Sequence, residues 1–330
     1  MPARTTPLPK VLVTDVIRSA HKGDAHGGVR LVDLASGDST KVLDWNDDTI
    51  DWEGRGGDRG LRGIAFYNDH IVIAASNEVF VFDQSFKVIA SYANPYLSHA
   101  HEIALEGDHL YVTSTKFNSI LVLDLAKGTF INSYQVRDAQ VQRKDKRGRT
   151  VAVRTLVAVP FDPNTKAPVP PRDVHHINSI HADASTVTIG GVRMNFVAQL
   201  PLADRPAELK PLCPTPPWTH NARPFLQGFL YNATEDHAVV FADKAGKPRW
   251  RAPIPTPAAD TLEYAKLPND HARSGFGRGL ATTDTGLVII GSAPSTITAY
   301  KLMADDIAAQ VQLTKDVRNT PHGLEVWPYG

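Results

Sequence analysis

Short runs of alternating apolar and polar residues, interrupted by Gly, Asp and Asn, extend along the chain. One example is residues 98–114, where two such runs flank Glu106, Gly107 and Asp108, and a polar residue opens the first run. Alternation broken by Gly and Asp is typical of a β-hairpin. The pattern therefore predicts an all-β protein made of short antiparallel strands.

The same pattern recurs five more times at a spacing of roughly 40 residues or more, which is typical of a closed array of repeats. The residues that open the repeats are Arg62, His101, Asn178, His220, Arg278 and His322. Residues 10–45 hold three strand candidates without an opening strand, and residues 321–327 form an opening strand without the three that follow. Pairing the two ends completes one four-stranded sheet and removes exposed edges. We therefore predict a single domain over residues 1–330, a six-bladed β-propeller closed by its N- and C-terminal strands.

Insertions interrupt the repeats between the last strand of one blade and the first strand of the next. They cover residues 135–175, 201–219 and 252–277. These connections emerge where the innermost strands begin, so we predict long loops that cover a binding site on that face. The basic run at 143–149 is interpreted as a solvated hairpin tip rather than a nucleic-acid contact. Residues 304–311 are predicted to form one or two helical turns.

The charge balance argues against large polyanionic partners. Lys plus Arg and Asp plus Glu number 35 each, so the formal net charge is +0. No global field attracts nucleic acid or a membrane surface, and we expect a small-molecule substrate instead. The single cysteine, Cys213, cannot form an internal disulfide, and the first residues lack an apolar leader. These features, with no apolar run long enough to span a bilayer, predict a cytoplasmic protein.

Three histidines occupy equivalent positions on alternate blades: His101, His220 and His322. Because the starts of innermost strands converge on the axis of a propeller, the three imidazoles form a facial ligand set with open positions opposite. Such a set is typical of one divalent transition metal: zinc, iron or copper. A metal-free acid–base site and simple packing of the channel remain alternatives.

The other candidate site residues surround this trio. Arg62, Asn178 and Arg278 alternate with the histidines and suit an anionic or carbonyl group of the substrate. We expect His99, His176 and His181 to act as outer-shell groups, substrate contacts or an extra ligand. The candidate acid–base groups from loops are Arg223, Tyr264, Asp270, His271 and Arg273. Glu102 directly follows His101, so strand alternation points its side chain to the opposite face and argues against a role as base.

Three motifs resemble a family of uncharacterised bacterial six-bladed propellers. They are Phe276-Gly277-Arg278-Gly279-Leu280, Thr219-His220-Asn221-Ala222-Arg223-Pro224 and His176-Ile177-Asn178-Ser179-Ile180. This resemblance implies the fold and no particular activity. The layout of three histidines with arginines between them is similar to that of peptidylglycine amidating lyase, whose trio holds zinc while arginine and tyrosine assist cleavage. That second resemblance implies a metal-dependent lyase but no specific substrate.

These observations favour a metal-dependent enzyme of lyase or hydrolase type that acts on a small anionic or carbonyl substrate at the propeller axis. The bound metal is expected to polarise a substrate oxygen or to lower the pKa of a bound water. Two alternatives remain open. One is a non-haem iron or copper oxygenase, and the other is a non-catalytic propeller that binds a ligand or partner protein.

Overall fold

The computed structural model describes residues 7–53, 58–166, 169–267, 274–304 and 306–329. These residues form short β-strands joined by turns, with single-turn 3-10 helices at Thr115–Phe117, Thr234–Asp236 and Ala259–Thr261. The strands, in chain order, are β1 (Lys10–Ile17), β2 (Gly27–Asp33), β3 (Ser39–Trp45), β4 (Ile64–Tyr67), β5 (His70–Ala74), β6 (Glu78–Phe82), β7 (Val88–Ala93), β8 (Ile103–Glu106), β9 (His109–Ser114), β10 (Ser119–Asp124), β11 (Thr129–Lys144), β12 (Thr150–Phe161), β13 (Ile177–Asp183), β14 (Thr186–Gly191), β15 (Phe196–Leu200), β16 (Ala207–Glu208), β17 (Lys210–Pro214), β18 (Thr219–Phe225), β19 (Gly228–Ala233), β20 (Ala238–Asp243), β21 (Pro248–Pro253), β22 (Gly277–Thr282), β23 (Leu287–Ser292), β24 (Thr296–Lys301), β25 (Ile307–Gln312) and β26 (Asn319–Val326).

The strands form six antiparallel sheets, which we number as blades from the inner strand outward. Blade 1 is β4-β5-β6-β7, blade 2 is β8-β9-β10-β11-β12-β16, blade 3 is β13-β14-β15-β17, blade 4 is β18-β19-β20-β21, blade 5 is β22-β23-β24-β25 and blade 6 is β26-β1-β2-β3. Each innermost strand contacts that of the next blade, and β26 contacts β4, which closes the ring. The predicted all-β, six-bladed propeller is confirmed.

The closure of the ring also follows the prediction. Strand β26 pairs antiparallel with β1, from Val11 opposite Val326 to Ile17 opposite Asn319. The C-terminal strand is thus the innermost strand of a sheet whose other three strands come from the N-terminus. This pairing closes the inner edge of β1, while β26 faces the channel as the other innermost strands do.

The hydrophobic core is divided among the interfaces between blades. Each of the clusters formed by the described residues joins the facing sheets of two neighbouring blades. Val13 of blade 6, for example, packs with Ile289 and Ile297 of blade 5. Strands such as β23 are buried throughout because both of their faces are covered, whereas the outer strand β7 is mostly exposed. Each fully buried aliphatic side chain contributes roughly 1.5–3 kcal/mol.

The long loop expected over residues 135–175 is largely a hairpin. Strands β11 and β12 pair from Ser133 opposite Phe161 to Lys144 opposite Thr150, and they extend blade 2 outward. Apolar and polar residues alternate in both segments, as is typical of β-strands. The interpretation of this region as a loop was therefore wrong up to residue 161. The basic run does lie at the hairpin tip, where the Asp145 carboxylate accepts hydrogen bonds from the backbone of Arg147 and Arg149.

Two further expectations about connections were also wrong. Residues 201–219 contain β17, the outer strand of blade 3, because Lys210–Pro214 pairs with β15. Residues 307–311 of the segment predicted to be helical belong instead to β25, which pairs with β24 and completes blade 5. Residues 254–258 and 262–267 of the third predicted loop have no regular secondary structure. Asp270, His271 and Arg273 of that loop lie outside the described residues.

In the part of the chain that the structure describes, no helix is long and apolar enough to cross a membrane.

Close packing where β26 meets blade 1 makes Gly323 a sensitive position. A Cβ there falls 2.2 Å from Arg62 O and 2.8 Å from Thr14 Oγ1. Because both neighbours belong to the ring closure, we expect Gly323→Ala to reduce the free energy of unfolding by about 3 kcal/mol. Urea denaturation checks this. Gly190→Ala is the matched control, since its Cβ meets nothing closer than 3.6 Å. Equal losses in both variants contradict the prediction.

Candidate functional site

A β-bulge recurs at the start of the innermost strands. In blade 1, Arg62 N donates to Ala74 O (2.8 Å) and Ala74 N donates to Gly63 O (3.0 Å), so two residues lie opposite one. Register shifts fall at the equivalent place in blades 3, 4, 5 and 6. In blade 2, the backbone N–H groups of His101 and Glu102 both donate to Thr113 Oγ1. A bulge re-aims side chains, so two consecutive residues can face the axis.

The residues that open the innermost strands form what we call the axial ring: Arg62, His101, Asn178, His220, Arg278 and His322. Each is buried, with 2–8% of its surface exposed. Arg278 NH1 lies 2.8 Å from His322 Nε2, and its NH2 lies 3.4 Å from His220 Nε2. The His101 and His322 ring centroids are 6.0 Å apart. The structure thus places two of the predicted histidines against one guanidinium, with the third, His101, beside His322.

Two of the histidines are oriented by equivalent partners: the backbone carbonyl two residues earlier and the threonine hydroxyl 14 residues later. His101 Nδ1 lies 2.9 Å from His99 O and 3.0 Å from Thr115 Oγ1. His220 Nδ1 lies 3.0 Å from Trp218 O and 2.9 Å from Thr234 Oγ1.

A carbonyl oxygen only accepts hydrogen bonds, so Nδ1 carries the proton in both rings and Nε2 carries the lone pair. In His322, Arg278 NH1 lies 2.8 Å from Nε2 and 3.2 Å from Nδ1, and since a guanidinium only donates, it faces the nitrogen of that ring that carries the lone pair.

The histidines of the ring are neutral. Burial lowers the pKa of His101 well below 6.5, and the nearby Arg62 lowers it further. Burial also lowers the pKa of His220 and His322, with Arg278 as the second cause in both. An uncharged ring with a free Nε2 can accept a proton or a hydrogen bond.

Arg62 and Arg278 concentrate positive charge on the axis. Burial lowers the pKa of Arg62 to about 10 and that of Arg278 well below its usual value, and Arg18 contributes to both. Both side chains remain charged at neutral pH. The Nε of Arg278 and the Nδ2 of Asn178 are buried without a hydrogen-bond partner in the described structure. These donors leave the ring with unused capacity to bind a negatively charged group.

A three-histidine metal centre does not fit this arrangement. The described residues contain no group of three His, Cys, Asp or Glu side chains spaced to hold a metal ion. The Arg278 guanidinium lies against two of the predicted ligands, His220 and His322, and donates to their lone pairs. A charge at that place repels a second cation. The predicted zinc, iron or copper ion therefore has no assembled ligand set in the described part of the chain.

The remaining predicted residues are dispersed. The ring of His176 lies 5.1 Å from that of His101, and its Nδ1 contacts Asp173 at 2.9 Å, so it borders the axial ring. His99 is partly exposed and lies 3.6 Å from Asp58. Tyr264 is 53% exposed, and Arg318 packs over it at 4.1 Å. The structure therefore places only His176 of these three in ring contact with a predicted metal ligand.

His181 and Arg223 belong to a different place, a cavity of about 290 Å³ below the axial ring. Its walls come from the innermost strands of the six blades, and its polar lining residues are Glu102, Ser179, His181, Asn221, Arg223 and Glu325. Burial, with Arg223 as the second cause, lowers the pKa of His181 to about 4, so this ring is also neutral. We call this space the lower cavity.

The prediction that the Glu102 side chain points to the strand face opposite the channel was wrong. Its carboxylate lines the lower cavity and accepts a hydrogen bond from Asn221 Nδ2 at 2.8 Å. The bulge at His101 and Glu102 breaks the alternation on which that prediction depended. Burial and the neighbouring Glu325 raise the pKa of Glu102 to about 8.

Other contributing residues were missed, including Thr115, Thr234, Asn221 and Glu325. A signal for the bulge was present, since a Gly or Asn follows the ring residue at 63, 221, 279 and 323.

The fold and the site together define a six-bladed β-propeller with a buried arginine–histidine ring on its axis. No protein-family model and no curated protein matches the sequence. The chain is similar in structure to a protein of unknown function from Bacteroides caccae, with 11% identity, 97% of this chain and 100% of that chain covered, and a TM-score of 0.54. At this identity the likeness shows the fold alone.

Two other solved structures are more distant. A catalytically inactive virginiamycin B lyase from Staphylococcus aureus, solved with quinupristin, has 13% identity, covers 79% of this chain and 87% of its own, and gives a TM-score of 0.46. A computationally designed protein, Ika8, has 13% identity to this chain. The match covers 94% of this chain and 89% of the designed chain, with a TM-score of 0.46. These two likenesses concern the overall fold alone.

Proposed function

We propose that the axial ring is the anion-binding site of a small-molecule enzyme of lyase or hydrolase type, with Arg62 and Arg278 as the anion-binding residues. The observation that carries this proposal is the buried Arg278 guanidinium, which contacts two neutral imidazoles and keeps Nε without a partner. Buried guanidinium groups are normally neutralised by a carboxylate or phosphate. A small carboxylate or phosphate compound supplies that charge when it replaces the imidazole contacts of Arg278.

His101 is the proton acceptor in this proposal. The lone pairs of His220 and His322 face Arg278, whereas His101 has its Nδ1 proton held by His99 O and Thr115 and keeps Nε2 for a substrate. Two of the groups that depress the pKa of His101 are Arg62 and Arg278. An anion bound to these arginines offsets their charge and makes His101 a stronger base. Substrate binding thereby activates the base beside it.

Anion binding can be measured before any substrate is known. We expect inorganic phosphate or malonate to raise the melting temperature of the wild-type protein by ~3 °C or more at about a hundredfold the Kd, relative to chloride at equal ionic strength. Arg278→Met should abolish this increase because it removes the central donor. Arg251→Met is the matched control, since Arg251 is an exposed residue paired with Asp236 and should leave the increase intact.

Two results contradict the proposal. One is a wild-type protein whose melting temperature responds to neither anion. The other is one equivalent of zinc, iron or copper in the purified protein that disappears in His101→Ala, because this establishes a metal centre in place of the anion site.

A further inference from the structure

The lower cavity is lined by residues that follow the axial ring along the innermost strands, and none of the six ring residues belongs to its lining. Its walls combine apolar side chains, including Phe66, Leu105 and Leu280, with two carboxyl groups, Glu102 and Glu325. Its volume of about 290 Å³ is near the lower limit for ligand sites, about 300–1,000 Å³. The Glu325 side chain is 35% exposed, so a ligand can reach it from solvent.

The two carboxyl groups offer more acceptor oxygens than the surrounding described residues fill with hydrogen bonds. Asn221 Nδ2 donates to one oxygen of Glu102. Arg223 NH1 donates to Leu280 O at 3.0 Å and forms an ion pair with Glu325 at 3.7 Å, which is too long for a hydrogen bond. With both glutamates ionised, the polar lining therefore carries two negative charges and one positive charge. No side chain or backbone group of the described residues donates a hydrogen bond to the Glu325 carboxylate. A ligand that fits must therefore bring donors, and preferably positive charge.

The identity of the cation follows from the other lining groups. Within the described residues, no set of three His, Cys, Asp or Glu side chains is spaced to hold a metal ion, and part of the cavity lining is apolar, including Ile103, Leu105 and Leu280. An ammonium group offers three donors to the two carboxyl groups, and its positive charge favours the ionised form of Glu102, whose pKa is about 8 in the free protein. A hydrocarbon body attached to it buries against Phe66 and the leucines, where a hydrated metal ion gains nothing.

We infer that the lower cavity binds a small primary ammonium compound with an apolar body, its nitrogen placed between Glu102 and Glu325. The site uses none of the axial-ring side chains, so a variant of Glu325 tests ammonium binding and a variant of Arg278 tests anion binding, although Glu102 interacts electrostatically with both ring arginines. Ammonium binding and phosphate binding can therefore fail separately.

Isothermal titration of the whole protein with n-butylammonium chloride tests this inference. We expect saturable binding at one site per chain, with n-butanol and butyrate binding at least tenfold more weakly. Glu325→Gln should weaken n-butylammonium binding at least tenfold because it removes the charge and keeps the shape. Glu106→Gln is the matched control, since Glu106 lies on β8 but outside the cavity lining, and it should change the affinity less than twofold.

A second variant keeps the test decisive if Glu325→Gln unfolds. Ala104→Leu fills the cavity while both carboxyl groups remain, and it should also weaken binding at least tenfold. Butanol binding as tightly as butylammonium shows a purely apolar pocket and overturns the inference. Tighter binding of butyrate overturns it as well, because Arg223 then governs recognition. Wild-type protein that binds none of the three compounds overturns it outright.

Discussion

Arg278→Met should raise the free energy of unfolding by about 1–3 kcal/mol, although it removes the central residue of the axial ring. Arg278 is buried near two other cations, Arg18 and Arg62, and its Nε has no partner. Replacing this buried charge by an apolar side chain of similar length removes the desolvation cost and the repulsion, which together outweigh the attraction of Glu102. The gain exceeds the cost of leaving two imidazole lone pairs without a donor, about 1 kcal/mol each.

Urea denaturation of both proteins without added anion measures this difference. Arg251→Met should change stability by less than about 0.5 kcal/mol, since that side chain is exposed. Stabilisation of Arg278→Met, together with loss of anion binding, is the result expected when a residue is kept for function at a cost to the fold. A loss of more than 1 kcal/mol indicates instead that Arg278 holds the ring together.

Glu102→Gln should abolish a decline in stability that the wild-type protein shows between pH 6.5 and 8. The pKa of Glu102 is about 8 in the folded chain, against a usual value of 4.5. Between these values the folded state holds a proton that the unfolded state has released, so stability falls as pH rises. The decline is about 1.4 kcal/mol per pH unit, or roughly 2 kcal/mol over this interval.

The histidines act in the opposite direction at lower pH. The pKa values of His101, His220 and His322 are lower in the folded protein than the usual 6.5. Below pH 6.5 these histidines bind protons in the unfolded protein but stay unprotonated in the folded protein. The free energy of unfolding therefore falls as pH falls. We therefore expect a maximum near pH 6.5, measured by urea denaturation across pH 5–8. Glu106→Gln should keep the alkaline decline, and a flat wild-type profile from pH 6.5 to 8 contradicts the assignment.

The sequence is sufficient to predict the closed ring of six blades but not the side-chain contacts on its axis. Alternation and the repeated opening residue lead to six blades, and the incomplete repeats at the two ends lead to the pairing of β26 with β1. These features depend on local strand patterns and on the spacing of repeats, and both can be identified in the sequence itself.

The central contacts depend on features that strand periodicity does not contain. Strict alternation separates His101 from Glu102, whereas the bulge lets both line the channel. Asn221 and Gly279 adopt positive φ values of 52° and 77° at equivalent bulges, and only their residue types hint at this. The length of the Arg278 side chain decides that a guanidinium, rather than open space, lies between the histidines. Its direction depends on packing from neighbouring blades, which no single strand reveals.

The pairing of β1 with β26 has a consequence for synthesis of the chain. Strand β1 is made first, and its inner edge carries Val11, Val13 and other buried residues, yet its partner Asn319–Val326 follows some 300 residues later. At about 5–20 residues per second, the ribosome needs roughly 15–60 s to supply that partner. Throughout this interval an apolar strand edge is open to pairing with other nascent chains. The aggregation risk of this propeller in the cell is therefore set by elongation speed and chaperone cover more than by the stability of the finished ring.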